Sequence, residues 1–335
     1  MKRLTIFLIG ILIVGFSFAQ VQASDVIRMR FGHVAPPMHA QHKAAVWFAE
    51  YVEKESGGRI KCSVHPKGQL GSHIQMLEGL QVGALETVSV AGSALSEFVP
   101  QIALSQLPFL LNSEAEYHAL FSSSIAPKLK AAFEPKGLYC GGFTTHGQRT
   151  FLNRKHPVTK LEDLGKSKWR SIPNELVLDT YRALGVDPMT LPWPEVFSAL
   201  QRGVIDGILL TPNEVWGARI YEVITYMSFC KISQNPQIYV ASKKFLDNLP
   251  TDMRDVVING MREAADWHTK KVEYEDSTVV IPDLKKKGVI MNEISEAELA
   301  RLRKAVVPVH EKWREKIGPE LYDEAVAFLK QYRQK

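Results

Sequence analysis

The sequence predicts an α/β protein with two successive α/β units and a helical C-terminal third. Three observations predict this class. Segments that alternate apolar and polar residues are interleaved with segments of helical spacing, the same rhythm restarts after about residue 150, and the last third has helical spacing almost throughout. Short connections favour mainly parallel sheets. With 335 residues, 45% apolar and 23% charged, the chain has ordinary globular composition and room for about two domains.

The first unit has the pattern strand, helix, strand, helix, strand. The predicted strands are 27–31, 60–64 and 87–90, and the predicted helices lie around 45–52 and 74–80. Gly57 and Gly58 end the first helix, because glycine adopts the left-handed cap conformation at little cost.

The second unit begins with helical spacing over Asn174–Leu184, followed by a proline-rich stretch, Pro188–Pro194. A further helix, Glu195–Arg202, is closed by Gly203. The apolar run Val204–Ile208 then predicts a short strand.

The C-terminal third contains three helical regions. Thr251 or Asp252 is expected to cap the first, and Ser295 caps the second with the spacing of a capping box. Pro308 is expected to kink or split this second helix, because proline lacks the amide donor. Apolar spacing over 321–329 predicts the final helix.

The N-terminus has the parts of a secretory signal. A basic start precedes an apolar run, Leu4–Ala19, and small residues lead to Ser24. The alternative is a membrane anchor, but this run of 16 residues is shorter than the roughly 20 that a bilayer span needs. We therefore expect residues 1–23 to be a signal peptide cleaved near Ala23, and the mature chain to be exported. Removal of Lys2 and Arg3 lowers the net charge by two, from +5 to +3.

Charge and cysteine content give two further expectations. The small, unclustered basic excess predicts no nucleic-acid partner. Cys62, Cys140 and Cys230 lie in apolar surroundings, so we expect buried thiols, although an exported chain offers the alternative of one disulfide.

No common catalytic or phosphate-binding motif occurs in the sequence, and neither an enzymatic activity nor a cofactor is predicted. His33, His39 and His42 form the one group with metal-ligand character, since imidazole binds zinc or copper. No cysteine or carboxylate has matching spacing nearby. We therefore predict no metal site, and expect these histidines to cap a helix or to bind a ligand.

Two arginines are the strongest candidates for a binding site. Arg149 lies two residues before Phe151, and Arg170 directly follows Trp169. A guanidinium in apolar surroundings keeps its proton and needs an anionic partner, and its planar fork matches a carboxylate. That partner is either a bound ligand or an internal Asp or Glu.

Several motifs occur in a fixed order along the chain. They are Phe48–Glu53 with Ser56–Ile60, Gly68–Gly71, Phe98–Pro100 with Leu107–Phe109, Leu161–Leu164 between Arg149 and Arg170, and Trp193–Gly207. In this order they resemble the periplasmic solute receptor of tripartite ATP-independent periplasmic (TRAP) transporters, the dicarboxylate-receptor (DctP-like) family, over residues 27–330.

The resemblance implies a two-lobe periplasmic binding protein fold with a hinged cleft, crossing segments and long C-terminal helices. Lobe I would comprise residues 24–147 and 237–275, and lobe II residues 148–236 and 276–320, followed by a C-terminal helix over 321–335. The protein would be a periplasmic monomer.

The resemblance also implies which residues bind the solute. Arg170 would hold a carboxylate in a bidentate pair, Arg149 would assist, and Trp193 would form a wall of the pocket. The loop containing His33 and His39, and the segment containing Ser93, would face the ligand.

The chain departs from the family pattern after Asp206-Gly207. Relatives usually have a polar-Asn-Pro run there, whereas this chain has Ile208–Asn213. The usual asparagine role would fall to Thr211, to Asn213 or to no residue. A pocket that loses a polar group and gains Trp193 and Trp216 would suit a more apolar acid than a sugar acid.

The resulting hypothesis is an extracytoplasmic receptor that binds a small carboxylate and delivers it to TRAP membrane permease subunits for ion-coupled uptake. Three alternatives stay open at this point. The same protein would instead serve a sensor, or it would be an exported enzyme acting on small acids. The third alternative is a metal scavenger that uses His33, His39 and His42.

Overall fold

The computed structural model describes residues 26–334, so the predicted signal peptide lies outside the described residues. None of the helices in this range combines the length and apolar character that a membrane crossing requires. The strands are β1 Ile27–Gly32, β2 Ile60–His65, β3 Thr87–Ala91, β4 Leu138–Gln148, β5 Thr150–Asn153, β6 Trp169–Ser171, β7 Met189–Thr190, β8 Gly207–Leu210, β9 Tyr226–Phe229, β10 Gln234–Ser242 and β11 Ile290–Glu293.

The helices are α1 Ala40–Glu55, α2 His73–Val82, α3 Gly92–Leu95, α4 Glu114–Phe121, α5 Ile125–Ala131, α6 Glu175–Ala183, α7 Val196–Arg202, α8 Pro212–Gly217, α9 Lys243–Asp247, α10 Thr251–Glu275, α11 Ile281–Lys286, α12 Glu296–Ala305, α13 Val307–Ile317 and α14 Pro319–Tyr332. A π-helical segment, Asp276–Val280, joins α10 to α11.

The first sheet has the order β2-β1-β3-β10-β4. Helix α10 packs very closely on β4, because β4 carries two adjacent glycines. A Cβ atom at Gly141 would lie 2.5 Å from the Cβ of Met261, and one at Gly142 would lie 2.6 Å from the Cβ of Ala265. Only glycine therefore permits this approach.

The second sheet has the order β11-β9-β5-β8-β6-β7. Its central strand β8 begins at Gly207, where a Cβ atom would lie 2.6 Å from the ring of Trp169. The glycine of the Asp206-Gly207 pair thus allows the indole to pack directly on the sheet.

The α/β class is confirmed, and each sheet is mainly parallel, with a single strand that runs against the others. In the first sheet β10 runs antiparallel to both β3 and β4. In the second sheet β5 runs antiparallel to β8 and β9. The reason is that β4 continues into β5, and β9 into β10, so the chain passes directly from one sheet to the other. These crossing strands have no intervening helix that would return them parallel to their neighbours.

Most predicted elements and helix ends are confirmed. Gly203 ends α7 in the left-handed conformation, with φ of 74°. Ser295 caps α12 by accepting the amide of Glu298, and the helix is split before Pro308, which lies in the first turn of α13. The three cysteines are free.

Two details of the predicted elements are wrong. The strand expected over Val204–Ile208 begins at Gly207, because the amides of Val204 and Ile205 still bond to the carbonyl of Ala199 as α7 unwinds. Helix α10 begins at Thr251 with Pro250 at the cap position, so no side chain caps it.

The apolar core has four clusters. Two lie on the faces of the first sheet and one lies against the second sheet. The largest cluster combines residues from three distant parts of the chain, such as Leu104, Trp169 and Leu329. It joins the two sheets at the side on which the crossing strands and the C-terminal helices lie.

Candidate functional site

A cleft of about 760 Å³, partly open to solvent, lies between the two sheets. Both halves of the chain contribute to its walls. The lining residues are Val34, Ala35, Pro36, His39, Gln41, His73, Ala91, Ser93, His146, Arg149, Arg170, Ser171, Ile172, Val177, Tyr181, Trp193, Leu209, Leu210, Glu214, Ala218, Asn235 and Gln237. Of the predicted site residues, it brings together Arg170, Arg149, Trp193, His39 and Ser93.

Arg170 reaches the cleft because it is the middle residue of β6. Its neighbour Trp169 points to the opposite face, where the ring packs edge-on against Phe151 at 5.4 Å and its Nε1 donates to the carbonyl of Leu164. The guanidinium donates from Nε and Nη2 to the carbonyl of Leu191, at 2.9 and 2.6 Å. The Nη1 edge is left for a ligand.

Arg149 is the single residue between β4 and β5. Its amide donates to the carbonyl of Ser233 at 2.8 Å, and its carbonyl accepts from the amide of Ile232 at 3.3 Å. The segment between β9 and β10 therefore holds its backbone. In the cleft, Nη2 donates to Oδ1 of Asn235 at 2.7 Å.

Neither guanidinium has an acidic partner. Arg149 is 8% exposed and Arg170 is 5% exposed. Within residues 26–334 no carboxylate oxygen lies within 4.0 Å of either group, unlike the arginines of the surface ion pairs. Burial lowers the pKa of Arg149 and lowers the pKa of Arg170 to about 10, so both stay charged at neutral pH. The internal-pair alternative is therefore not realised in this structure.

Glu214 is the acidic group of the cleft. It completes a capping box with Thr211 at the start of α8, and its Oε1 lies 3.8 Å from Nδ1 of His146. Burial opposes ionisation, but His146 and the charge of Arg149 hold the pKa of Glu214 at about 2. The carboxylate is therefore ionised.

The three histidines with metal-ligand character in the sequence, His33, His39 and His42, do not form one group in the structure. His33 and His42 bond to each other through Nε2 and Nδ1 at 3.1 Å. His39 instead caps α1, as expected, by accepting the amide of Gln41 at Nδ1. Its ring lies 4.5 Å from that of His146, centroid to centroid. Burial lowers the pKa of His33 to about 3, so its ring is neutral.

Four of the predicted site residues do not line the cleft. His33 is buried behind its wall, and Thr211 is used in the cap of α8. Asn213 is buried in the same helix. Trp216 faces away and donates from Nε1 to Asp283 at 2.7 Å. Thr211, Asn213 and Trp216 all belong to α8 or its cap. The residue of this helix that faces the cleft is Glu214.

The sequence reasoning did not identify several polar groups of the cleft. Tyr181 lies at a core position of α6, and its buried hydroxyl has no hydrogen-bond partner. Asn235 and Gln237 alternate on β10, and Gln41 donates to Gln237 at 3.3 Å. The alternation of two amides on a strand that is buried throughout was the available signal.

One side chain connects the two walls beside the cleft. Asn174 caps α6 by accepting the amide of Val177 at 3.0 Å. Its Nδ2 donates across to the carbonyl of Ser93, to Oγ of Ser96 and to Oε1 of Glu97, at 2.8, 3.0 and 2.8 Å. Together with the bond from the amide of Glu175 to Oε1 of Glu97 at 3.3 Å, this side chain joins the start of α6 to α3 and the residues after it.

Known proteins share this architecture and part of its sequence. The C4-dicarboxylate-binding periplasmic protein DctP of Rhodobacter capsulatus is 25% identical over 324 residues, covering 95% of this chain and 96% of that protein. The sugar acid binding protein DctPAm of Advenella mimigardefordensis, in complex with galactonate, superposes with a TM-score of 0.88 at 27% identity, covering 92% and 99% of the two chains.

A TRAP periplasmic solute binding protein from Ochrobactrum anthropi, with a C-terminus bound in its ligand-binding pocket, is 32% identical. It superposes with a TM-score of 0.81 and covers 92% of this chain and 97% of its own. The two-sheet fold is thus that of TRAP solute-binding proteins. The family model for bacterial extracellular solute-binding protein, family 7 (DctP) matches residues 31–316, and this chain therefore belongs to that family.

Proposed function

We propose that the protein binds an organic acid by its carboxylate, between Arg149 and Arg170, and delivers it to a TRAP membrane permease. The main support for this proposal is the pair of buried guanidinium groups, which have no acidic partner in the described residues. Two buried cations lining one cleft are costly to desolvate, and a bound carboxylate offsets that cost through charge-assisted bonds.

The ligands of relatives support this chemistry. The Rhodobacter relative is named for C4-dicarboxylates, and the Advenella structure holds galactonate. The pocket of the Ochrobactrum relative holds a C-terminus, and every C-terminus carries a carboxylate. A carboxylate is therefore the group that these ligands share, whereas the remainder of the ligand varies.

The rest of the cleft favours an acid with an apolar part. On the side of the second sheet, Ile172, Leu209 and Trp193 contribute apolar surface to the cleft wall. On the side of the first sheet, Asn235 and Gln237 of β10 contribute amide groups. The ligand class that fits both walls is a carboxylic acid with an apolar chain or ring and a polar substituent.

The binding motion follows from the way in which the chain crosses between the sheets. Residues 24–147 with 237–275 form lobe I, and residues 148–236 with 276–320 form lobe II, with the final helix packed outside. The crossings lie at Arg149, at the segment 230–234 and at the π-helical turn Asp276–Val280. A ligand that contacts both walls stabilises the closed arrangement, which is a population shift.

The cellular setting follows from the leader. The charged, apolar and small-residue regions of residues 1–23 direct export, with cleavage near Ala23. An exported, soluble receptor supplies a permease with bound solute. It acts as a monomer that returns the acid chemically unchanged, and recovery of a converted acid after incubation would instead favour the enzyme alternative.

A ligand screen tests the proposal first. Mono-, di-, keto and sugar acids are added to the purified protein, and the melting temperature is followed. A ligand that binds only the folded state raises the melting temperature by mass action. We expect acids with an apolar portion to produce larger shifts than sugar acids, and no shift from the corresponding amides.

The Arg170→Ala variant tests the carboxylate contact. Calorimetry with the best acid should show binding weakened by about 2–5 kcal/mol, because the ligand carboxylate loses a buried charge partner. Arg182→Ala, at a position where the side chain is 58% exposed, is the matched control and should bind normally. Undiminished affinity of a folded Arg170→Ala protein would contradict the proposal.

A further inference from the structure

Three histidines from separate elements meet at the base of the cleft. His39 precedes α1, His146 lies in β4 and His268 lies in α10. One ring nitrogen from each lies within 4.8 Å of those of the others. All three are buried, with exposures of 4%, 3% and 0%. Among the residues that the structure describes, this trio has the spacing of a metal-ligand group.

Three of the six ring nitrogens of this trio are buried without a hydrogen-bond partner in the described part of the chain. Both nitrogens of His146 and Nε2 of His268 are buried with no hydrogen bond. Unpaired buried polar atoms are uncommon, because each one loses its bond to water without replacement. Burial holds the pKa of His39 and the pKa of His268 well below 6.5, so both rings are neutral and each has one lone pair, which in His39 accepts the amide of Gln41.

We propose that His39, His146 and His268 bind one divalent transition-metal ion at the base of the cleft. Neutral imidazole suits Zn²⁺, Cu²⁺ and Ni²⁺, and three histidines with one open position are a known zinc arrangement. His39 and His146 line the cleft. The open position is therefore reached from the side on which the carboxylate would bind.

The surrounding charges are compatible with a cation. The positive charge of Arg149 disfavours a bound cation, but Glu214 supplies an ionised carboxylate 3.8 Å from Nδ1 of His146. A carboxylate next to a metal-binding histidine fixes the ring and strengthens it as a ligand. The hydroxyl of Tyr239 lies 3.4 Å from Nδ1 of His268 and orients that ring in the same way.

Metal binding requires a small local adjustment. Zinc–nitrogen bonds of about 2.0–2.1 Å bring tetrahedral ligand atoms to about 3.4 Å from one another, so the three rings must approach by about 1 Å. His39 must also exchange its bond from the amide of Gln41, which is 3.1 Å long. The first change involves side-chain rotations of all three histidines, and the second affects only His39 at the start of α1.

Zn²⁺ titration tests the site on the tag-free protein after treatment with a chelator. Competition with a chromophoric chelator should give one equivalent of Zn²⁺ per chain, and Co²⁺ should give the visible absorption of a four-coordinate complex. His268→Gln should weaken Zn²⁺ binding by at least about tenfold and lose this absorption. His146→Gln provides the same test if His268→Gln fails to fold.

His65→Gln is the matched control, because His65 lies on the edge strand β2 and its ring nitrogen Nε2 bonds to Oγ of Ser63. It should bind Zn²⁺ like the unaltered protein. The inference is overturned if the unaltered protein takes up no Zn²⁺, or if His268→Gln binds as tightly as His65→Gln. Since His268 does not line the cleft, acid binding by His268→Gln reports separately on the proposed function.

Discussion

At the scale of single residues, Asp206 illustrates how a buried charge supports the second sheet. Its carboxylate is 2% exposed, accepts from Nζ of Lys155 at 2.8 Å and accepts from the amide of Lys168 at 3.1 Å. Burial alone would raise the pKa of Asp206, but these donors outweigh it and lower the pKa below 3.8. The ionised form is therefore the one that the fold stabilises.

Asp206→Asn should lower the free energy of unfolding by about 1–3 kcal/mol at pH 7. The buried Asn amide carries no negative charge, so the ammonium group of Lys155 loses its ion pair. A depressed pKa contributes stability above the unfolded-state value, near 4, and loses it as pH falls through the folded-state value. The difference between variant and unaltered protein should thus shrink below about pH 4.

Urea unfolding at pH 7 and pH 3 measures both effects. Asp187→Asn is the control, since the Asp187 side chain is 89% exposed. If the difference in free energy of unfolding stays constant between the two pH values, the charge of Asp206 does not account for the lost stability.

The sequence identified Arg149 and Arg170 because each is a charged residue next to buried aromatic residues. It did not identify Tyr181 or Glu214. Tyr181 occupies a position that helical spacing assigns to the core, and Glu214 reads as an ordinary first-turn acid of α8. Their place in the cleft depends on how α6 and α8 pack, which local periodicity does not encode.

At the scale of elements, the contact between α6 and α3 allows a direct test of whether the two walls of the cleft close on a ligand. The amide of Asn174 has two roles, because Oδ1 caps α6 while Nδ2 bonds across the cleft to α3. Serine at this position keeps a capping oxygen and removes the crossing donor.

Asn174→Ser should therefore keep the cap of α6 and weaken acid binding by about three- to tenfold, since a net hydrogen bond contributes about 0.5–1.5 kcal/mol. Calorimetry measures the affinity, and Asn248→Ser, at an exposed helix end, is the control. Equal affinities for the two variants would mean that this bond does not stabilise the ligand-bound state.

Local signals predicted most elements and the mainly parallel sheets, but not the one antiparallel strand in each sheet. Gly203, Ser295 and Pro308 act on their own neighbours, so the ends of α7, α12 and α13 follow from the sequence. The antiparallel placement of β5 and β10 depends on where the chain crosses between sheets, and no residue pattern within these strands specifies it.

At the scale of the whole molecule, the largest core cluster joins the two sheets. Leu104 and Leu129 lie near the first sheet, Trp169 lies on the second, and Trp313 and Leu329 come from the C-terminal helices. Arg333 ties the last helix to α4 through both carboxylate oxygens of Glu116, at 2.9 and 2.7 Å. Neither half retains its full core without the other.

We therefore expect a single unfolding transition in urea, with coincident curves from tryptophan fluorescence and far-ultraviolet circular dichroism. Leu329→Ala should lower the stability of the whole molecule by about 2–5 kcal/mol and keep the transition single. Two separated transitions, or loss of only one of them in this variant, would show that the halves unfold independently.

Arg149 joins one sheet to the other through its own backbone and ends in the cleft through its side chain. Under the proposed function, a rotation between the sheets about this residue changes dihedral angles at or beside a group that contacts the bound acid. For a receptor, the consequence is kinetic, because the step that separates the walls then also withdraws one of the charges that hold the ligand. Residence time and the rate of opening are thereby coupled at this position.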